Sequence, residues 1–320
     1  MKQKKNSPTH PRAGFAAVAT PGVMISNAWP QSRLEEGATV AATRQVLERH
    51  PFFEAFQTVD IPYAGERRAF RKLIGDQGHS HTYTLTRIFA EQNLNPSSLD
   101  AEIRRKTWEA VIRQMDDAVE AGAQSITVVS GSRPEDPSER MGALAGLEET
   151  MTKICEAAAR RGDLYVVIEP LDYEAHKRAT LGSTEEALEL CRRLAGADLR
   201  LNLCIDTAHL ILNREDVAGA VEKARPRMVD FHFCNAVTDR AHTLFGDRHL
   251  PFGEPGVVDV NRIAELMVAF ARSGFLSEIS RPRVFCEVMT TSSMQPMEVV
   301  AHCHDTLEQA WSRASEIVSG

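Results

Sequence analysis

Four short apolar runs in this 320-residue chain each carry one acidic residue or histidine near the C-terminal end. They are LYVVIEP at 164–170 with Glu169, RLNLCID at 200–206 with Asp206, MVDFHFCN at 228–235 with His232, and RVFCEVM at 283–289 with Glu287. A lone carboxylate closing a buried strand is costly unless it is paired or bound to a metal. Three carboxylates gathered alone repel one another and raise their pKa values. A divalent cation among them removes that penalty, and the histidine completes an O,O,O,N donor set. Such a set suits Mn2+, Mg2+, Co2+ or Zn2+ better than a thiolate-seeking metal. Taken singly, each residue reads first as a partner in an internal salt bridge or a capped loop. Four of them at equivalent strand ends point instead to one shared polar centre.

Those ends need a scaffold that turns them to one side. Apolar or alternating runs at 22–30, 56–63, 79–90, 123–131, 164–170, 199–206, 228–235 and 283–289 predict strands. Helical spacing lies between them, at 34–50, 65–75, 99–121, 139–160, 182–194, 215–224, 260–272 and 296–317. Ser183 with Glu186 forms a capping box that opens the fifth of these helices. Eight strand-then-helix units in strict alternation predict an α/β fold, a closed (β/α)8 TIM barrel occupying 14–320 as a single domain. Residues 1–13, polar and proline-containing, predict a flexible tail. An open doubly wound sheet is the alternative, but the first strand lacks a glycine-rich phosphate turn. No Walker loop, GxSxG elbow or HExxH is present. In a barrel the C-terminal strand ends converge where active sites are found, which puts Glu169, Asp206, His232 and Glu287 on one rim.

Composition narrows the partners. Forty-four acidic residues against 37 Lys and Arg leave a net charge of -7, which argues against a general nucleic-acid surface but not against a local basic groove. Cys155, Cys191, Cys204, Cys234, Cys286 and Cys303 show no CxxC spacing, and three lie inside apolar strands. Buried reduced thiols and a cytoplasmic protein are the expectation. No apolar run is long enough to cross a bilayer, so no membrane partner is expected. The basic start followed by an apolar stretch faintly resembles a signal peptide, but Pro8, Pro11 and Pro21 interrupt it and 23–29 serves better as a first strand.

At this point the segments VVIEPL around Glu169, ATLGSTEEAL, CIDTAH with Asp206 and His209, DFHFCN with His232, GDRHLPFGEPG at 246–256 and VFCEVM with Glu287 resemble one family. It is the xylose isomerase-like barrels, which include ketose 3-epimerases, sugar-phosphate isomerases and epimerases, inosose dehydratases and metal-dependent apurinic endonucleases. The resemblance covers 164–290, and the N-terminal half only through its strand–helix rhythm. It implies that Glu169, Asp206, His232 and Glu287 bind one divalent metal ion, Mn2+ first, with Mg2+, Co2+ or Zn2+ as alternatives. It further implies that Glu169 and Glu287 carry protons on opposite faces of a sugar or sugar-like polyol. Removing a proton beside a carbonyl creates an enediolate, which a metal stabilises. A carboxylate on each face permits inversion, whereas one face alone gives isomerisation or exchange. The expected activity is therefore a metal-dependent sugar isomerase or epimerase. A keto-inositol dehydratase-like lyase is the alternative, followed by a metal-dependent phosphodiesterase or nuclease and then a non-catalytic ligand-binding barrel.

The remaining motifs divide these readings. The resemblance implies that His209 faces the substrate or a second metal; otherwise it is a helix-start histidine bonded to backbone. Asp247-Arg248-His249 reproduces the spacing that holds an additional metal in the endonuclease branch. That branch also draws histidines from earlier strands; His79 or His81 could supply one, but the fourth strand ends in VVSGS with none. Arg248 and His249 are accordingly expected as substrate contacts, and Asp247 as either a site residue or a solvated loop residue. The loop at 171–180, with His176, Lys177 and Arg178, is either an anion-binding segment or a charged lid. Trp29 lines a sugar face or packs in the core. His242, His302 and His304 read as surface or helix residues. A homo-oligomer is compatible with the pattern but not required by it.

Overall fold

The computed structural model describes residues 14–195 and 201–319. The tail expected at 1–13 lies outside the described residues, as do 199–200 at the expected start of the sixth strand.

Eight parallel strands close into a barrel: β1 (Thr20–Met24), β2 (Ala55–Thr58), β3 (Ser80–Thr84), β4 (Ser125–Val129), β5 (Tyr165–Glu169), β6 (Leu201–Asp206), β7 (Met228–Phe233) and β8 (Arg283–Cys286). Each pairs with its sequence neighbours, and β1 pairs with β8 to complete the ring. The principal helices are α1 (Ala38–Arg49), α2 (Ala64–Gly75), α3 (Ala101–Glu120), α4 (Arg140–Ala159), α5 (Thr184–Arg193), α6 (Val217–Ala224), α7 (Val260–Arg272) and α8 (Pro296–Ser319). One follows every strand, so the expected (β/α)8 barrel is the observed fold.

Local chemistry accounts for these elements. β4, SITVV, is buried at every position because helices cover one face and the barrel interior the other, so it reads as a continuous β-branched run. The expected capping box forms at α5, with Ser183 Oγ accepting the Glu186 N–H and Glu186 reaching back to the Ser183 N–H. Asp100, Asp216 and Asp259 cap α3, α6 and α7 in the same manner.

Inside the barrel, Phe285 fills the space beside Met24 and Ala55. A Cβ at Gly22 would stand 2.3 Å from the Phe285 ring, so that strand position admits only glycine without rearrangement. Towards the N-terminal end, a buried ion pair joins Asp230 Oδ1 to Arg283 Nε at 2.6 Å. Thr82 Oγ1 donates to Asp230 Oδ2 at 3.1 Å, and Arg283 Nη2 donates to Ser125 Oγ at 3.2 Å. These contacts satisfy the polar groups at the floor of the barrel.

Several expected boundaries are corrected. The first strand ends at Met24, and Ile25–Ala28 turns into a short helix whose C-cap is Trp29. Trp29 is half-buried and packs against the main core. The third strand ends at Thr84 and is followed by a helix, Thr86–Glu91, that buries Ile88 and Phe89. The run at 79–90 alternates well enough for a strand, but past the rim there is no neighbouring strand to accept its N–H groups, so the backbone satisfies itself as helix. The connection between the seventh strand and the helix at 260–272 holds a two-stranded antiparallel ribbon, Ala236–Val237 with Gly246–Asp247.

Candidate metal centre

Register puts the four strand-end residues level. Asp206 of β6 lies opposite His232 of β7, Phe285 of β8 lies opposite His232, and Glu169 of β5 lies opposite Val129 of β4. Glu287, two residues beyond Phe285, extends the β8–β7 ladder by donating its N–H to the Phe233 carbonyl at 2.8 Å. The side chains of Glu169, Asp206, His232 and Glu287 thus meet, with one donor atom from each lying within 4.8 Å of all the others. His232 Nδ1 faces Glu287 Oε2 at 3.0 Å and Glu169 Oε1 at 3.9 Å. Asp206 also caps the short helix Thr207–Leu212, its Oδ1 accepting the Ala208 and His209 N–H groups at 2.7 and 3.2 Å. That leaves Asp206 Oδ2 and His232 Nε2 buried without a hydrogen-bond partner among the described residues. Unpartnered buried polar atoms are uncommon in native proteins. A hard cation among three carboxylate groups and an imidazole would satisfy the orphaned carboxylate oxygen, so the residues present fit a divalent ion.

Two more histidines and two more aspartates stand beside this set. His249 Nε2 sits 3.2 Å from Glu287 Oε1 and 3.2 Å from Asp247 Oδ2. His209 places Nδ1 3.3 Å from Asp172 Oδ2 and Nε2 3.8 Å from Asp247 Oδ2. Asp247, for which a solvated loop was an equal reading, is 1% exposed and belongs to the site. The backbone brings it there through Asn235, whose amide donates to the Pro251 and Gly253 carbonyls, both at 2.7 Å, and accepts the Val258 N–H at 2.9 Å. A Cβ at Gly256 would stand 2.1 Å from the Asn235 side chain, which explains a glycine there. His302 Nε2 of α8 accepts the Phe252 N–H at 3.1 Å and pins the same loop.

Without an ion, burial and mutual repulsion set the protonation of the centre. Burial, then the charge of Glu287, raises Glu169 above the ordinary glutamate range. Burial pushes Asp206 up to about 7. Glu287 goes the other way: burial opposes ionisation, but His249 and His232 outweigh it and hold the group at about 2. Burial opposes charge on His232 too, yet its hydrogen bond to Glu287 lifts it to about 9.

Not every expected residue joins. Arg248 is exposed and makes no hydrogen bond or ion pair among the described residues, although its charge reaches His176. His79 stands next to the N-terminal start of β3 and contacts Gln77, far from the rim. His81 points outward from β3, hydrogen-bonded to Thr58 Oγ1 at 2.9 Å with Phe70 against its ring. Neither can supply a ligand at the rim. Sequence reasoning does not single out Asp172, which orients His209, although it follows Glu169 by only three residues, a spacing that suggests a shared rim. Lys177, expected in an anion-binding segment or a charged lid, turns its Nζ inward to 3.0 Å from the Asp247 Oδ2 of the protein itself.

Residues 49–287 match the family described as xylose isomerase-like TIM barrel. The chain belongs to this family. The matched segment contains all four converging residues and ends on Glu287. Among solved structures, the xylose isomerase-like barrel seen here is similar to that of a D-tagatose 3-epimerase-like protein, with a TM-score of 0.70, 18% identity and coverage of 93% of this chain and 99% of that one. A 3-keto-D-glucoside 4-epimerase from E. coli gives 0.64 at 15% identity, over 92% and 99% of the two chains. An AP endonuclease, family 2, from Brucella melitensis gives 0.65 at 13% identity, over 88% and 97%. At these identities the likeness establishes the shared fold. No curated protein matches the sequence.

Proposed function

We propose that this xylose isomerase-like barrel is a divalent-metal-dependent isomerase or epimerase acting on a sugar or sugar-like polyol. The observation that carries the reading is the convergence of Glu169, Asp206, His232 and Glu287 at the C-terminal rim, with an orphaned carboxylate oxygen among them. Several similar structures bear the names of sugar epimerases, which supports this class over others. Mn2+ is the ion we favour, with Mg2+, Co2+ and Zn2+ as alternatives on the same donors.

The order of strands in the barrel suggests how the groups divide the work. β5 and β8 stand at the two ends of an arc with β6 and β7 between them. Asp206 and His232 therefore occupy the middle as ligands. Glu169 and Glu287 flank the position of a bound substrate from two sides, as ligands that also exchange protons. A bound divalent ion supplies positive charge to the substrate oxygens as negative charge develops. In an epimerisation one glutamate removes the proton on carbon beside the carbonyl, leaving an enediolate, and the other returns a proton to the opposite face. His249, held between Glu287 and Asp247, and His209, oriented by Asp172, are assigned to substrate hydroxyls. Arg248 is assigned to an outer group of the substrate that reaches the exposed rim.

Six buried free thiols fit a reducing compartment such as the cytoplasm. No helix among the described residues is long and apolar enough to cross a membrane.

The test is proton exchange. Incubation of the metal-loaded protein with a panel of ketoses and inososes in D2O should replace carbon-bound protons, followed by NMR, without loss of water. An absorbing enone product would shift the reading to a lyase. Neither signal, with cleavage of abasic DNA, would overturn it.

Ion binding should also compete with protons at these donors. Because Asp206 titrates at about 7 and His232 at about 9 in the ion-free protein, both must lose protons to bind. Affinity is expected to rise with pH across that interval, and binding at neutral pH to release protons. Titration calorimetry in buffers of different ionisation enthalpy reads the release; no release would remove His232 from the ligand set.

A further inference from the structure

Beside the four-residue set lies a second convergence of donors. Cys234, Asp247 and His249 each present an atom within 4.8 Å of the others, and His209 Nε2 lies 3.8 Å from Asp247 Oδ2. A carboxylate, two imidazoles and a thiol are donors that a divalent transition metal accepts. Lys177 stands against them, with Nζ 3.0 Å from the same Asp247 oxygen that faces both imidazoles. We infer that Lys177 is a built-in monovalent cation that fills this second position and limits the centre to one divalent ion.

Three observations support the assignment. First, the lysine is delivered by a fixed backbone. Asp172 Oδ1 accepts the N–H groups of His176 and Lys177, the latter at 2.8 Å, and the Asp172 carbonyl accepts the Ala179 N–H at 3.0 Å. Arg133 N–H donates to the Arg178 carbonyl at 2.9 Å, tying the turn to the loop after β4. Second, the turn is seated directly on the strand that carries Asp247. Gly246, at φ +102°, leaves room for His176, whose side chain lies 2.5 Å from where a Gly246 Cβ would be. Third, the charges match. Asp247 is fully buried and needs a compensating cation, and an ammonium at hydrogen-bond distance supplies one without ligand geometry. An ammonium and a dication cannot share one carboxylate oxygen at such range without strong repulsion in a partly desolvated site. The lysine therefore separates one-ion chemistry on a polyol from the paired-ion clamps that suit phosphodiesters.

This inference rests on the reading that the four-residue set holds an ion, and the experiment separates the two. The full-length protein and its Lys177→Met and Lys177→Arg variants are loaded with Mn2+, desalted and analysed for metal per chain. Electron paramagnetic resonance then distinguishes isolated from coupled Mn2+. One isolated ion is expected in the parent and in Lys177→Arg. Two coupled ions are expected in Lys177→Met, and one again when Asp247→Asn is added. The Lys177 side chain is 32% exposed, so its loss should leave the fold intact, which circular dichroism checks. One ion in both the parent and folded Lys177→Met, or two in the parent, overturns the role of Lys177 alone. No ion in any of them overturns the metal reading and this inference with it.

Discussion

Glu169→Gln and Glu287→Gln should each lower turnover by about 10²–10⁴-fold, the range associated with losing one positioned proton carrier. An amide keeps the shape of the side chain but cannot take a proton. The two variants should differ in what survives. With Glu169 replaced, Glu287 still serves one face, so deuterium enters substrate from D2O while inversion stops. With Glu287 replaced, the partner of both His232 and His249 is lost at once, since its two oxygens face Nδ1 of one and Nε2 of the other. Bound metal should therefore fall along with turnover. Metal analysis and NMR exchange on the same samples resolve the two effects. Full occupancy with full activity in Glu287→Gln would remove Glu287 from the site.

Arg283→Ala is expected to be the most destabilising single change at the opposite end of the barrel. Asp230 is fully buried, and Arg283 is its only cation partner among the described residues. Removing one member of a buried ion pair strands the other's charge, which costs about 3–5 kcal/mol. Thr82 still donates to Asp230, but a hydroxyl dipole does not replace a guanidinium. Replacing both partners together, Asp230→Leu with Arg283→Met, should recover most of the loss, because no charge is then buried alone. Urea unfolding of the three proteins measures this. Equal destabilisation by the single and double changes would mean that shape, rather than charge, closes the barrel floor.

The site residues were legible in sequence to different degrees, for identifiable reasons. Glu169, Asp206, His232 and Glu287 stand out because apolar strands rarely end in a carboxylate or an imidazole without cause, and parallel strands in a barrel have a defined end at which to meet. Helix α7 has the limits that its sequence predicts, because an aspartate caps its start and the one-sided apolar pattern ends with it. The third strand is shorter than the alternation at its start predicts, since TLTR continues a two-residue period while TRIFA also fits a helical turn. Only the position of the barrel rim selects the latter. His79 and His81 looked usable by composition alone, but one sits beside the wrong end of its strand and the other on its outer face. Alternation of side chains along β3, once its register is known, excludes His81, and a place before the start of the strand excludes His79.

What the sequence determined by itself was the barrel, its period, and which four strand-end residues converge on its rim, because these depend on local pattern and on a period that the chain repeats eight times. What only the tertiary structure decided was the company those residues keep. Asp247 is buried because the side chain of Asn235 clamps its loop, Asp172 orients His209, and Lys177 meets Asp247 across 70 residues of chain. Each of these depends on loops from different strands coming within hydrogen-bond distance over one rim. Spacing along a chain carries no record of such a meeting; the closure of the barrel creates it.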